Sequence, residues 1–162
     1  MKRDDTSVLN AELAAAIAAM GHTDVLMITD AGFPISEDTR RIDLALTRGI
    51  PTIEEVLTVV DEELIAERVL YADDVPEMNP PLNRLIQETY GEGSGTQVET
   101  IPHKDVLAYG DEAKAIVRTG DFNPWGNIVI ECGTDPKAWF DDNEVSMPPA
   151  YEDRYAEMYG DQ

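Results

Sequence analysis

His22 and His103 are the two histidines of the chain. An imidazole both gives and takes protons near neutral pH, so these are the first candidates for acid–base work. Asp24 and Asp30 flank one apolar run, Val25 to Thr29. A carboxylate at the end of such a run can accept hydrogen bonds from hydroxyl groups or orient a histidine. It can equally close a turn or cap a helix. Pro124-Trp125-Gly126-Asn127 offers a third set of groups. The indole presents a face for a sugar ring, Gly126 permits close backbone approach, and the Asn127 amide both donates and accepts. By spacing alone, the same residues also read as two hydrogen-bonded histidines, two turn aspartates and a turn before a strand.

Other chemistries are poorly supplied. Two histidines and scattered aspartates match no usual ligand spacing, so no metal is expected. Gly21, Gly32 and Gly49 do not make a G-x-G-x-x-G pattern, and neither a Walker sequence nor a G-x-S-x-G elbow occurs. No cofactor is expected. Cys132, the one cysteine, lies in an apolar run and reads as a packed thiol rather than a nucleophile.

The elements that must position these groups follow from caps and apolar runs. Asn10 is placed to cap a helix to Met20, with Gly21 in the left-handed position that ends helices. Val25–Thr29 has the length of a buried strand and ends at Asp30, where Ala31-Gly32-Phe33-Pro34 is loop chemistry. The stretch to Arg41 reads as a surface loop, and Ile42–Leu46 is ambiguous. Thr52-Ile53-Glu54-Glu55 is a capping box opening a helix to about Val60. Leu64–Ala72 reads as a strand, and Asn79-Pro80 opens a helix to Tyr90. Gly91–Gly95 is a flexible connection. A strand over Val98–Ile101, a helix over His103–Tyr109 and strands over Ala115–Arg118 and Ile128–Cys132 complete the body.

Helices alternating with short apolar strands predict an α/β fold with a largely parallel sheet. Such sheets place ligands beyond the carboxyl ends of their strands, and Asp30 occupies one such end. After Gly133 the chain turns acidic, with Pro148-Pro149 and Trp139, Phe140, Tyr151, Tyr155 and Tyr159 spread along it. That is too aromatic for an inert linker, so the segment is expected to pack on the body or on a neighbouring subunit.

Composition narrows the partners. The 162 residues fit one domain, and a hydrophobic share of 43% supplies a core. Lys and Arg total 12 against 33 Asp and Glu, a net charge of −21. That disfavours nucleic acid and anionic membrane surfaces, which need clustered cations. One cysteine fits a reducing compartment. Lys2 and Arg3 precede the apolar run Leu13–Met20, but Asp4, Asp5 and Glu12 spoil a signal peptide. No stretch reaches the roughly 18 apolar residues of a membrane span, so the expected location is the cytoplasm.

The ordered motifs resemble the D-ribose pyranase family, RbsD, whose sister branch is the L-fucose mutarotases. The resemblance is carried by Gly21-His22-Thr23-Asp24, Thr29-Asp30-Ala31-Gly32-Phe33-Pro34-Ile35, Arg41 to Leu46 with Gly49-Ile50-Pro51, His103, Ile116 to Gly120 and Pro124 to Ile128. It covers roughly Val8 to Gly133. It implies a three-layer RbsD-like fold over 1–133, with 134–162 as an acidic, aromatic extension. It implies a cofactor-free isomerase that interconverts pyranose and furanose forms of D-ribose by opening and reclosing the ring. His22 is then the catalytic acid, and Asp30, His103, Trp125, Gly126 and Asn127 bind the sugar. The family's ring-shaped decamers imply sites between subunits. Trp125 stands where the family usually has tyrosine, which keeps a stacking face and loses a phenolic oxygen. L-Fucose, another aldose or sugar binding without catalysis are the alternatives.

Overall fold

The computed structural model describes residues 8–141 and 144–160; Lys2, Arg3, Asp4 and Asp5 lie outside them. Local chemistry starts the helices where the residue types require. The Asn10 side chain accepts the Leu13 N–H at 2.9 Å and opens α1, Ala11–Ala18. Thr52 and Glu55 exchange both capping-box bonds, at 3.2 and 2.8 Å, and open α2, Ile53–Glu63. Asn79 accepts the Leu82 N–H and opens α4, Pro80–Tyr90. Helix α3, Val75–Met78, is a single turn that the sequence pattern does not announce. Helix α5, His103–Glu112, runs three residues past Tyr109. Gly21 is not the left-handed residue expected after α1. That conformation falls on Thr23, with φ of 69°, and the Gly21 N–H instead bonds the Asp24 carboxylate.

Six strands form one sheet in the order β2-β5-β1-β6-β3-β4. They are β1 Val25–Thr29, β2 Arg41–Asp43, β3 Ala66–Ala72, β4 Gln97–Ile101, β5 Ala115–Arg118 and β6 Asn127–Cys132. The ambiguous stretch around Ile42 is thus a short edge strand, and β3 starts later than Leu64 because α2 extends to Glu63. Five strands run one way, and β6 lies antiparallel between β1 and β3. The reason is chain length. A parallel crossover takes about a dozen residues or more, and the connection 119–126 is shorter. β6 therefore starts where β5 ends and runs back. Strands β1, β5 and β6 are buried almost throughout, as a sheet covered by helices on both faces requires.

That reversal gathers three chain segments at one end of the sheet, past the last residue of β1. Thr29 is paired with Arg118 on one side and Asn127 on the other. Gly120, just after β5, is clasped by the 47–51 loop: its N–H reaches Pro51 O at 2.9 Å, and its carbonyl accepts the Gly49 N–H at 2.6 Å. A Cβ there would sit 2.3 Å from the carbonyl oxygens of both Ile50 and Thr47. Gly120→Ala is expected to cost about 3 kcal/mol through this overpacking. An unchanged urea midpoint in that variant would contradict the packing.

After Gly133 the chain forms α6, Pro136–Phe140, and α7, Pro149–Tyr159. Helix α7 packs on the body through Arg154, which is 8% exposed and donates to the carbonyls of Ala66 and Gly95. Of the two expectations for this segment, packing on the body is therefore met within the chain.

Candidate functional site

At the carboxyl end of β1 the backbone is tied on both sides. The Thr29 carbonyl accepts from the Thr119 N–H at 3.0 Å and its hydroxyl at 2.8 Å. The Asp30 N–H then donates to Gly126 O at 2.7 Å. The Asp30 carboxylate folds back on its own turn and accepts the Gly32 N–H at 2.7 Å. Burial pushes this carboxyl above the ordinary aspartate range. Hydrogen bonds from Gly32, the Asn127 amide and Phe33 oppose the rise, and the nearby Asp121 charge adds to it.

Asn127 opens β6 and is 4% exposed. Its amide is hydrogen-bonded to Asp30, yet its Oδ1 is buried without a partner. An unsatisfied buried acceptor costs about 1–3 kcal/mol. Before it, Trp125 sits in the left-handed region, with φ of 56°. The loop that imposes this is pinned by Asn79, whose amide donates to Asn123 Oδ1 at 2.6 Å and Pro124 O at 2.8 Å. The helix cap read from the sequence therefore also holds the tryptophan loop.

Asp30, His103, Trp125 and Asn127 line a single cleft of about 390 Å³, with Phe33 and Leu107 as apolar wall. His103 enters from the first position of α5, directly after β4, so it too lies at the carboxyl end of the sheet. A second hollow of about 360 Å³ opens on the other side of Asp30, beside Arg118, Asp121 and Phe122. Gly126 does not line the cleft. It is buried behind it, where a Cβ would fall 2.5 Å from Ile53 Cδ1 and 2.7 Å from Asn123 O. Its place in this structure is a packing one.

His22 is at the opposite end of β1. It rides a turn closed by Asp24, whose carboxylate accepts the Gly21 N–H at 2.7 Å and pairs with Lys114. The Lys114 hydrogen bond holds that carboxyl below the usual aspartate range. Thr23 N–H donates to Cys132 O, and Cys132 N–H to Asp24 O, both at 2.8 Å. The five residues of β1 separate His22 from Asp30 by about 17 Å. Within one chain, His22 and the cleft do not meet. Around His22 stand Glu67, Tyr151 and Arg154, which the sequence pattern had not singled out. The aromatic tail was the one signal available for Tyr151.

Cys132 is buried, and burial pushes its thiol up to about 12, so it supplies no thiolate. Among the described residues, no three His, Cys, Asp or Glu side chains group as metal ligands. A desolvated carboxylate, an amide with an unused acceptor, an imidazole and an indole around one cleft can hold a small, hydroxyl-rich ligand.

Comparison with known proteins narrows that class. The chain belongs to the RbsD / FucU family: residues 1–135 match the RbsD / FucU transport protein family. It is similar to D-ribose pyranase 1 of Streptomyces griseus subsp. griseus, at 47% identity over 152 residues, covering 93% of this chain and 97% of that one. It is similar to the structure of Bacillus subtilis RbsD complexed with D-ribose, with a TM-score of 0.76 and 31% identity, covering 83% of this chain and 99% of that one. The fucose mutarotase of Streptococcus pneumoniae in complex with L-fucose has a TM-score of 0.65 at 18% identity, covering 83% and 99%, a likeness of fold.

The raised Asp30 pKa has a consequence for stability. A carboxyl that holds its proton more tightly when folded makes the folded state bind more protons, so stability falls as pH rises through that window. Asp30→Asn removes this loss. Its urea midpoint is expected above the wild type's at neutral pH, with the gap closing as pH drops below the ordinary aspartate range. A variant less stable than wild type at neutral pH would contradict the burial argument.

Proposed function

We propose that this protein is a ribose pyranase: it interconverts pyranose and furanose forms of D-ribose by opening and reclosing the ring. The observation that carries this is the convergence of Asp30, His103, Trp125 and Asn127 on one cleft, in a chain 47% identical to a D-ribose pyranase. The reaction breaks the bond between the anomeric carbon and the ring oxygen and remakes it to a different hydroxyl oxygen, with only protons exchanged with the protein. The anomeric hydroxyl loses a proton as the ring oxygen gains one, and the aldehyde recloses through a different hydroxyl. Positioned acid–base help is worth about 10²- to 10⁴-fold, in proportion to a reaction that water already permits. Asp30 and Asn127 hold hydroxyls, His103 orients the sugar, Trp125 covers its ring, and His22 is the acid. A net charge of −21 repels a phosphorylated sugar and is indifferent to a neutral one.

Because His22 is remote from the cleft of its own chain, the acid must come from a second copy. The site is then composite, formed between subunits of a ring, with a decamer as the assembly. We place the enzyme in the cytoplasm, since one cysteine allows no disulfide within the chain and fits a reducing compartment.

A second reading, an isomerase for another aldose such as L-fucose, draws on Trp125 in place of the family tyrosine. Magnetisation transfer between the pyranose and furanose signals of D-ribose tests the first. Faster exchange with wild-type protein and the uncatalysed rate with a folded His22→Ala variant are expected. Acceleration of fucose but not ribose would give the second reading, and tight ribose binding without exchange would make the chain a sugar-binding protein.

The composite site has its own test. His22→Ala and Asp30→Asn, each inactive alone, are dissociated, mixed equally and reassembled. If each site takes His22 from one copy and Asp30 from another, about a quarter of the sites are intact and activity returns. No recovery in mixed assemblies would exclude a shared site.

A further inference from the structure

Helix α7 ends a segment that the family match, residues 1–135, does not include. Two of its side chains nevertheless converge on His22. Arg154 is 8% exposed and spends its guanidinium on four acceptors: Gly95 O at 2.9 Å, Ala66 O at 3.0 Å, Thr134 O at 3.0 Å and Glu67 Oε2 at 3.3 Å. The same Glu67 oxygen lies 3.0 Å from His22 Nε2. The Tyr151 hydroxyl is 3.4 Å from that ring nitrogen and 3.4 Å from the Thr134 hydroxyl. Tyr151 is itself held by Phe140, with ring centroids 5.6 Å apart.

The chemistry of these contacts is directional. A carboxylate only accepts, so the hydrogen between His22 and Glu67 belongs to Nε2. That fixes the tautomer and leaves Nδ1 as the nitrogen that gives and takes the proton. Glu67 is one-third exposed and sits on a flexible stem, so it would not hold this geometry unaided. Arg154 supplies the restraint. Its three bonds to backbone carbonyls anchor the guanidinium to the body, and a fourth N–H, on Nη1, fixes the carboxylate. The close approach of Gly133 completes the fit: a Cβ there would fall 2.6 Å from Glu67 Cβ and 2.9 Å from Arg154 Nη1.

We propose that α7 is a positioning element for the catalytic acid: Arg154 orients Glu67, Glu67 holds His22 as the Nε2–H tautomer, and Tyr151 closes the ring edge, so that Nδ1 faces the substrate. This rests on His22 being the acid. It makes the C-terminal segment part of the active site of this chain, supplied together with His22 to the cleft of the neighbouring subunit.

The two histidines make the test clean, since protein labelled with ¹⁵N at histidine shows two imidazoles, and His103 serves as the internal control. In wild type, the His22 shifts are expected to report a protonated Nε2 in the neutral ring. Arg154→Met is expected to give mixed His22 tautomers and to lower kcat for ribose exchange about tenfold with KM unchanged. Arg154→Lys should recover part of both. Tyr151→Phe keeps the ring packing and is expected to lower kcat a few-fold and shift the His22 signals alone. Where Arg154→Met fails to fold, Tyr151→Phe decides. Folded variants with wild-type His22 shifts and wild-type kcat would overturn the proposal. Full turnover in His22→Ala would instead overturn the assignment of the acid, while the ¹⁵N shifts would still show whether α7 sets the tautomer.

Discussion

The chain reverses between β5 and β6, and the cleft depends on that reversal. Residues 119–126 cannot carry a crossover helix, so β6 is driven antiparallel into the middle of an otherwise parallel sheet. In a fully parallel sheet, Asn127 at the start of β6 would lie at the far end from Asp30. Here the two are neighbours, because one strand ends where the other begins. The Asp30 N–H on Gly126 O and the Asn127 amide on the Asp30 carboxylate are both products of that arrangement. Close packing at Gly120 and Gly126 keeps the reversal tight.

Around this reversal the protein tolerates several local costs. Trp125 is left-handed without being glycine, Asp30 is desolvated, and Asn127 Oδ1 lacks a partner. Each disfavours the empty fold and each lies at the same cleft. Such features survive where the surroundings over-determine them. The surroundings are identifiable: the Asn79 side chain on the tryptophan loop, the Thr119 hydroxyl on the Thr29 carbonyl, and the buried strands beneath.

The second centre is organised by different physics. His22 sits on a turn that Asp24 and Lys114 close, beside a carboxylate that a buried arginine restrains. Here ion pairs and charge-assisted hydrogen bonds set orientation, with little apolar enclosure. The arrangement leaves the His22 ring nearly half exposed. Helix α7 packs on this end of the sheet and leaves the cleft end open.

Much was legible in the residues themselves. Local chemistry fixed the Asn10, Thr52 and Asn79 caps and the short apolar strands, because these depend on neighbours within a few positions. The motifs around His22, Asp30, His103 and Trp125-Gly126-Asn127 marked the groups worth attention. Their grouping was another matter. Asp30 and Asn127 are remote in sequence and adjacent in space because of strand order, which no local pattern encodes. His22 and Asp30 are close in sequence and far apart in space, because the residues between them form an extended strand. Gly126 reads like a place of close backbone approach, and Ile53 and Asn123 are what press against it, which only the fold reveals. The roles of Glu67 and Arg154 were hidden for the same reason, since a charged side chain acquires a task only from what the fold sets beside it. The sequence by itself determined which chemical groups the protein has and where its helices begin. The tertiary structure decided which of those groups share a site, because sheet order and chain reversal are set by long-range pairing rather than by local preference.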